Sequence, residues 1–333
     1  MTAIPATFRA YLVDRKGETF ERGLRALTPD VLPEGEVEVR VAWSSVNYKD
    51  GLAATSDGKV ARAYPLVPGI DLAGTVVHSD TDQFAPGAEV IAHGYDLGVS
   101  RHGGYAEFAR LPADWVVPLP PGLTAREAMA IGTAGFTAAM SVAELETRGL
   151  EPGHGPVLVT GATGGVGSTA IAILADRGYE VWAATGKADE HDWLGTLGAV
   201  GFLGRDEVTA AGRPLEPERW AGAVDSVGAA TLPYILRTLR RGAAVAACGN
   251  ASGPALETTV FPFILRGTAL LGIDSAYLPI AKRRRIWDRL ATDLRPRSLA
   301  ERVTEVTLDT LEPALDAIRS GAARGRWVVR VGA

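Results

Sequence analysis

Pro156-Val157-Leu158-Val159-Thr160-Gly161-Ala162-Thr163-Gly164-Gly165-Val166-Gly167-Ser168 decides the fold. The stretch opens as a short apolar run rich in β-branched residues, the pattern of a buried parallel strand. A glycine cluster breaks the strand. Beyond it Val166, Ala170, Ile173 and Leu174 recur at helical spacing until Gly178, and Tyr179 to Ala184 returns as the next strand. This is a strand–turn–helix–strand unit, for which a right-handed crossover is nearly obligatory. A turn of this kind lets main-chain N–H groups approach a diphosphate where any Cβ would block it, and the helix dipole adds to the attraction. The glycines at 161, 164 and 167 are a variant of the dinucleotide fingerprint rather than its strict spacing.

The end of the second strand sets the expected cofactor. An NAD site places an acid there, roughly 20 residues past the glycines, on the ribose hydroxyls. Here the strand ends Ala183-Ala184-Thr185-Gly186-Lys187, and Glu180 falls too early, at its start. A hydroxyl and an ammonium beside a glycine suit the 2′-phosphate of NADPH instead.

Outward from this unit, the chain has 333 residues, 47% apolar and 22% charged, with a net charge of −5. Two domains are expected from the length, and the negative balance argues against nucleic acid as a partner. No apolar run reads as a membrane span and no signal-peptide pattern opens the chain. The single cysteine, Cys248, rules out an internal disulfide. Upstream, residues 8–14 and the alternating Glu36 to Trp43 read as strands, followed by Pro/Gly turns and further short strands near 72–77, 88–92 and 105–109. Such spacing predicts a compact β-barrel domain. Thr124 and Glu127 form a capping-box pattern at a helix start, and Ile131 to Leu145 is a small-residue helical segment. Downstream, strands near 200–203, 223–227, 243–247 and 270–273 alternate with helices near 189–197 and 231–240, the pattern of a doubly wound parallel α/β sheet. A basic helix, a strand near 303–307, a helix near 311–320 and a last strand, 327–331, close the chain.

Asn47-Tyr48-Lys49-Asp50, Pro68-Gly69-Ile70-Asp71-Leu72-Ala73-Gly74, Gly103-Gly104-Tyr105-Ala106-Glu107, Val159 to Ser168 and Phe261-Pro262-Phe263-Ile264-Leu265-Arg266-Gly267 occur in that order. The set resembles the medium-chain dehydrogenase/reductase superfamily, and within it the acrylyl-CoA reductase branch often described as quinone oxidoreductase. The resemblance runs through essentially the whole chain. It implies a Rossmann NADP-binding domain over 126–272. It also implies a GroES-like catalytic domain over 1–125 and 273–333, with the active site in the cleft between the two, and a cytoplasmic homodimer. Carried over by position, cofactor contacts fall on Tyr48, Thr163, Gly164, Gly165, Val166, Thr185, Gly186, Lys187, Arg205, Asn250, Ile264 and Ser275. Arg205 also fits as a second cation near the 2′-phosphate. Asn250 and Gly321 depart from the pattern, the first where an apolar residue and the second where an asparagine is more usual.

Zinc is the alternative chemistry in this superfamily, and the sequence speaks against it. Ile70 stands where the zinc enzymes carry histidine, and one cysteine supplies neither a catalytic nor a four-cysteine structural site. The expected reaction is reduction of the carbon–carbon double bond of acrylyl-CoA or another short 2-enoyl-CoA thioester, with hydride delivered to the β carbon and no metal. Tyr48 is the candidate catalytic residue, ordering the substrate or protonating the α carbon. A packing or ribose-contact tyrosine is the plainer alternative. Asn47 and Asp50 read as loop-shaping residues, Asp71 as a backbone partner at a turn, and Cys248 as a small core residue. Lys282-Arg283-Arg284-Arg285 is the one cationic cluster, open to two readings: a dock for CoA phosphates or a solvated helix face. A quinone or enone reductase and a non-catalytic NADPH sensor are the rival functions.

Overall fold

The computed structural model describes residues 4–298 and 303–332. The chain forms two compact units, one of Met1–Thr133, Ala276–Ala291 and Arg302–Ala333, the other of Ala134–Ser275 and Thr292–Glu301.

The first unit begins with β1 (Phe8–Lys16) and β2 (Thr19–Leu27), an antiparallel hairpin. β2 was not expected from the sequence. Its run Thr-Phe-Glu-Arg-Gly-Leu-Arg-Ala-Leu mixes charged and apolar residues, and none of the nine is buried, so no hydrophobic face marks it. β3 (Val37–Ser45) shows the expected alternation, with Val37, Val39 and Val41 fully buried. It is followed by the short helix α1 (Tyr48–Ala53), then β4 (Asp71–Ser79), β5 (Glu89–His93), β6 (Phe108–Leu111) and β7 (Val116–Pro118). These strands pair antiparallel, β6 joining β3 off the main path. Tyr11, Leu66, Leu72, Tyr105 and Leu111 fill the unit's interior. Each fully buried aliphatic side chain contributes about 1.5–3 kcal/mol.

The two helical stretches expected near 124 and 131 are one element, α2 (Ala125–Thr147), broken at Gly132 by a non-helical φ of 52° and ψ of −163°. The capping box is present: Glu127 N donates to Thr124 Oγ1 at 3.2 Å and Thr124 N to Glu127 Oε2 at 2.9 Å. By length and composition α2 could cross a membrane, contrary to the expectation that no apolar run is long enough. Its apolar window is 83% buried within the protein, the environment of a core helix.

The second unit holds β8 (Val157–Thr160), α3 (Gly165–Asp176), β9 (Val181–Ala184), α4 (His191–Thr196), β10 (Ala199–Leu203), α5 (Arg205–Thr209), β11 (Trp220–Asp225), α6 (Thr231–Thr238), β12 (Leu239–Ala247), α7 (Phe261–Arg266) and β13 (Ala269–Gly272). The six strands are parallel in the order β10-β9-β8-β11-β12-β13. That is the doubly wound Rossmann arrangement, with its topological switch between β8 and β11. α6 stops two residues short of the expected end because Leu239 already pairs with Trp220.

The remaining elements α8 (Ile280–Ala291), β14 (Val303–Thr307), α9 (Leu311–Arg319) and β15 (Arg326–Arg330) belong to the first unit. β15 pairs antiparallel with β3 and parallel with β14.

Candidate functional site

The glycine turn leaves β8 at the switch point, where ligands of such sheets bind. Gly161 adopts a φ of 59°, and a Cβ on Gly167 would lie 2.4 Å from the Gly161 carbonyl oxygen. Only glycine lets α3 approach the strand this closely. Gly164 caps α3 and its carbonyl accepts from Ser168 N at 2.9 Å. The amides of Gly165, Val166 and Gly167 precede that first helical bond and have no acceptor among the described residues, which is the condition for binding an anion. The turn therefore presents bare N–H groups from residues 165 and 166, both named from the sequence, with Thr163 buried beside them. The loop after β11 supports it: Ser226 Oγ donates to Thr160 O, and Asp225, fully buried, accepts from Thr160 Oγ1 at 2.5 Å, Thr231 Oγ1 at 3.0 Å and Gly228 N at 2.9 Å.

Past β9 lie the residues expected to hold the 2′-phosphate. Lys187 N donates to the Thr185 hydroxyl at 3.1 Å, and a Cβ on Gly186 would stand 3.2 Å from the guanidinium of Arg205, the first residue of α5. The Arg205 guanidinium thus stands beside Gly186, and Lys187 is the next residue in the chain. Glu180, the acid nearest in sequence before the strand end, is engaged with the indole of Trp182 at 2.9 Å. A hydroxyl, a guanidinium and the lysine that follows the glycine are donors an adenosine 2′-phosphate can use, and no acid ends the strand to hold a ribose diol.

The later contacts are spread out. Asn250 lies against the β11 loop, its Cα 3.2 Å from where a Gly228 Cβ would stand. The Ser275 hydroxyl accepts from Thr137 Oγ1 at 2.7 Å. Ile264 is 67% exposed on α7 beside Val260, Phe261 and Leu265. Cys248 follows β12, its thiol donating to Asp225 O, and burial pushes that thiol up to about 12.

In the first unit Tyr48 opens α1, half exposed, and its hydroxyl makes no hydrogen bond among the described residues. Beneath it lies a polar cluster that the sequence reading missed. Asp50 Oδ2 accepts from Asn47 N at 3.0 Å, and its Oδ1 accepts from Gly69 N at 3.1 Å and Ile70 N at 2.9 Å. Burial first, then the charge of Asp71, pushes the Asp50 carboxyl up to about 7 against the pull of these donors. Asp71, expected at a turn, begins β4 with no exposure, because its carboxylate is enclosed by Ser45, Asn47 and the Thr133 amide. Arg326, from β15, completes the cluster. Among the described residues no group of three or more His, Cys, Asp or Glu side chains converges as a metal site.

The cationic cluster on α8 does not hold together. Arg283 is fully buried, donating to the carbonyls of His93 at 2.8 Å and Ala276 at 2.9 Å, so it cannot face a ligand with Lys282 and Arg285. Helical spacing sends the second residue of the run inward while Lys282 and Arg285 stay exposed.

A parallel dinucleotide sheet joined to an antiparallel barrel defines a two-domain nicotinamide oxidoreductase. Residues 33–121 match the alcohol dehydrogenase GroES-like domain. The chain is 50% identical to the acrylyl-CoA reductase AcuI of Ruegeria pomeroyi over 98% of its length and all of that protein. It is 46% identical to the YhdH oxidoreductase of Salmonella enterica, solved with NADP, at a TM-score of 0.95 over 97% of this chain and all of that one. YhfP of Bacillus subtilis, solved with NAD bound, is 45% identical at a TM-score of 0.95, over 98% of this chain and all of that one. The chain belongs to the medium-chain dehydrogenase/reductase superfamily.

Proposed function

We propose that this chain reduces the carbon–carbon double bond of acrylyl-CoA, or a comparably short 2-enoyl-CoA, to the saturated thioester with NADPH. The observation that carries the cofactor is Arg205 beside Gly186, with Lys187 next in the chain and no acid at the end of β9; the full-length likeness to an acrylyl-CoA reductase supports the substrate. The amides of Gly165 and Val166 hold the diphosphate, and Lys187 and Arg205 the 2′-phosphate. When bound, NADPH supplies the hydride that the β carbon accepts. The enolate so formed takes a proton at the α carbon, and Tyr48, with its free hydroxyl, orients the thioester and is placed to deliver that proton.

NADPH oxidation should proceed with acrylyl-CoA and yield propionyl-CoA by mass spectrometry. A small quinone turned over faster than acrylyl-CoA would move the assignment to the quinone reductases, the activity by which YhfP is named. Turnover with Tyr48→Phe at the wild-type rate would remove Tyr48 from proton transfer.

The proposed setting is the cytoplasm and the proposed assembly a homodimer. β13 is a sheet edge with Leu270 exposed, and α7, which precedes it in the chain, exposes Phe261, Ile264 and Leu265, with Val260 exposed at its cap. An apolar edge of this kind is suited to pairing with its own copy about a twofold axis. Light scattering on Ile264→Glu should report monomer where the parent chain reports dimer; an unchanged mass would place the interface elsewhere.

A further inference from the structure

The polar cluster under α1 joins residues from four separated places in the chain. Arg326 Nε donates to Ala130 O at 2.8 Å, Nη1 to Asn47 Oδ1 at 3.2 Å and Nη2 to Ser45 Oγ at 2.7 Å. Among the described residues the guanidinium makes no direct bond to a carboxylate. Its charge reaches Asp71 through the Ser45 hydroxyl, which donates to Asp71 Oδ2 at 2.7 Å, and through Asn47, whose Nδ2 donates to the same oxygen at 3.0 Å. Asn47 is thereby gripped at both ends of its amide, with Arg326 on the oxygen and Asp50 and Asp71 on the nitrogen.

Asn47 is the residue before Tyr48 and the cap of its helix. We propose that Arg326, acting with Asp71 through Asn47, is a positioning residue for Tyr48, fixing the start of α1 and so the direction in which the phenol is displayed. The inference deepens the role given to Tyr48 above and rests on it. Two close approaches show that the support is built for this arrangement. Gly132 carries a φ of +52°, and a Cβ there would lie 2.4 Å from Arg326 Nη2 and 2.7 Å from Ser45 Oγ, so the α2 kink makes room for the guanidinium. Gly51, one turn into α1, lets that helix sit on α9: a Cβ would stand 2.9 Å from Ile318 Cγ2 and 3.0 Å from the Leu315 carbonyl. α1 is thus held at its cap by charge and hydrogen bonds and along its length by α9. Lysine at 326 keeps the charge, but a single ammonium cannot serve three acceptors lying in different directions.

The test is a double-mutant cycle in the full chain, with NADPH and acrylyl-CoA, on Arg326→Lys, Tyr48→Phe and the pair. Misplacement of a reacting group by about 1 Å costs on the order of 100-fold, so Arg326→Lys should lower kcat by roughly 10- to 100-fold. KM for NADPH should move less than kcat does, because apart from Tyr48 the residues expected to touch the cofactor are in the other unit. The pair should fall no further than Tyr48→Phe alone. Effects that multiply, or a folded Arg326→Lys chain with unchanged kcat, overturn the proposal. Should Arg326→Lys not fold, Gly51→Ala is carried through the same cycle with the same two readings.

A second readout does not depend on turnover. In protein labelled with 3-fluorotyrosine, the Tyr48 resonance, assigned by its loss in Tyr48→Phe, should shift or broaden in Arg326→Lys while the Tyr234 resonance of the second unit stays put. An unmoved Tyr48 resonance overturns the positioning claim. A moved resonance together with wild-type turnover of Tyr48→Phe leaves that claim standing and removes the catalytic role instead.

Discussion

The glycine turn after β8 and the cluster under α1 are built in opposite ways. The turn is main chain: bare amides and glycines where a Cβ would collide, with one cation just past β9 and another at the start of α5. The cluster is side chain: two carboxylates, one guanidinium, an amide and hydroxyls, all buried and each bonded to residues far away in sequence. The turn can lose a side chain and keep its fold, since its chemistry faces a ligand. The cluster cannot, because removal of one charge strands the others in a dry interior.

The sharpest way to break this contrast is Arg326→Leu. It leaves Asp50 and Asp71 uncompensated, and breaking a buried charge cluster costs about 3–5 kcal/mol. Denaturant unfolding should report a loss of that size; a loss under about 1 kcal/mol would mean the cluster behaves like a surface ion pair. Lys187→Ala is the opposite case. It should leave unfolding unchanged but raise KM for NADPH by roughly 10- to 100-fold, the worth of one charge-assisted phosphate contact, with KM for NADH untouched.

Smaller effects sharpen the comparison further. Asp50 titrates near 7 in the fold against an ordinary value of 3.8. The unfolded chain therefore gives up this proton first, so the group lowers stability as pH rises from about 4 to about 7, by at most about 1.4 kcal/mol per pH unit, and adds no slope above that. Stability curves of the parent and Asp50→Asn, compared by slope over that window, should differ in that direction; parallel curves would place the proton elsewhere. The smallest effect belongs to Lys282→Glu with Arg285→Glu. With Arg283 turned into the core, the reversal should change KM for acrylyl-CoA by less than about twofold, and a large rise would restore the docking reading.

Legibility in the sequence followed the same division. The turn, its helix and the missing acid lie within about thirty residues, so spacing alone exposed them. Lys187 was legible for the same reason, since it closely follows a readable strand; Arg205 was named from the resemblance, by position. The cluster closes over separations of 26 residues from Ser45 to Asp71 and 281 from Ser45 to Arg326, contacts that only the folded barrel creates. An arginine opening the strand Arg326–Arg330, beside buried valines, was the one available signal. β2 escaped because neither of its faces is buried, and Arg283 misled because a run of four cations says nothing about which one a helix turns inward.

The central claim is that the end of β9 selects a phosphorylated cofactor. Calorimetric titration of the unaltered chain with NADPH and with NADH tests it most directly. The account predicts NADPH tighter by about 10- to 1,000-fold, from one or two charge-assisted contacts; equal affinities, or a preference for NADH, would contradict it.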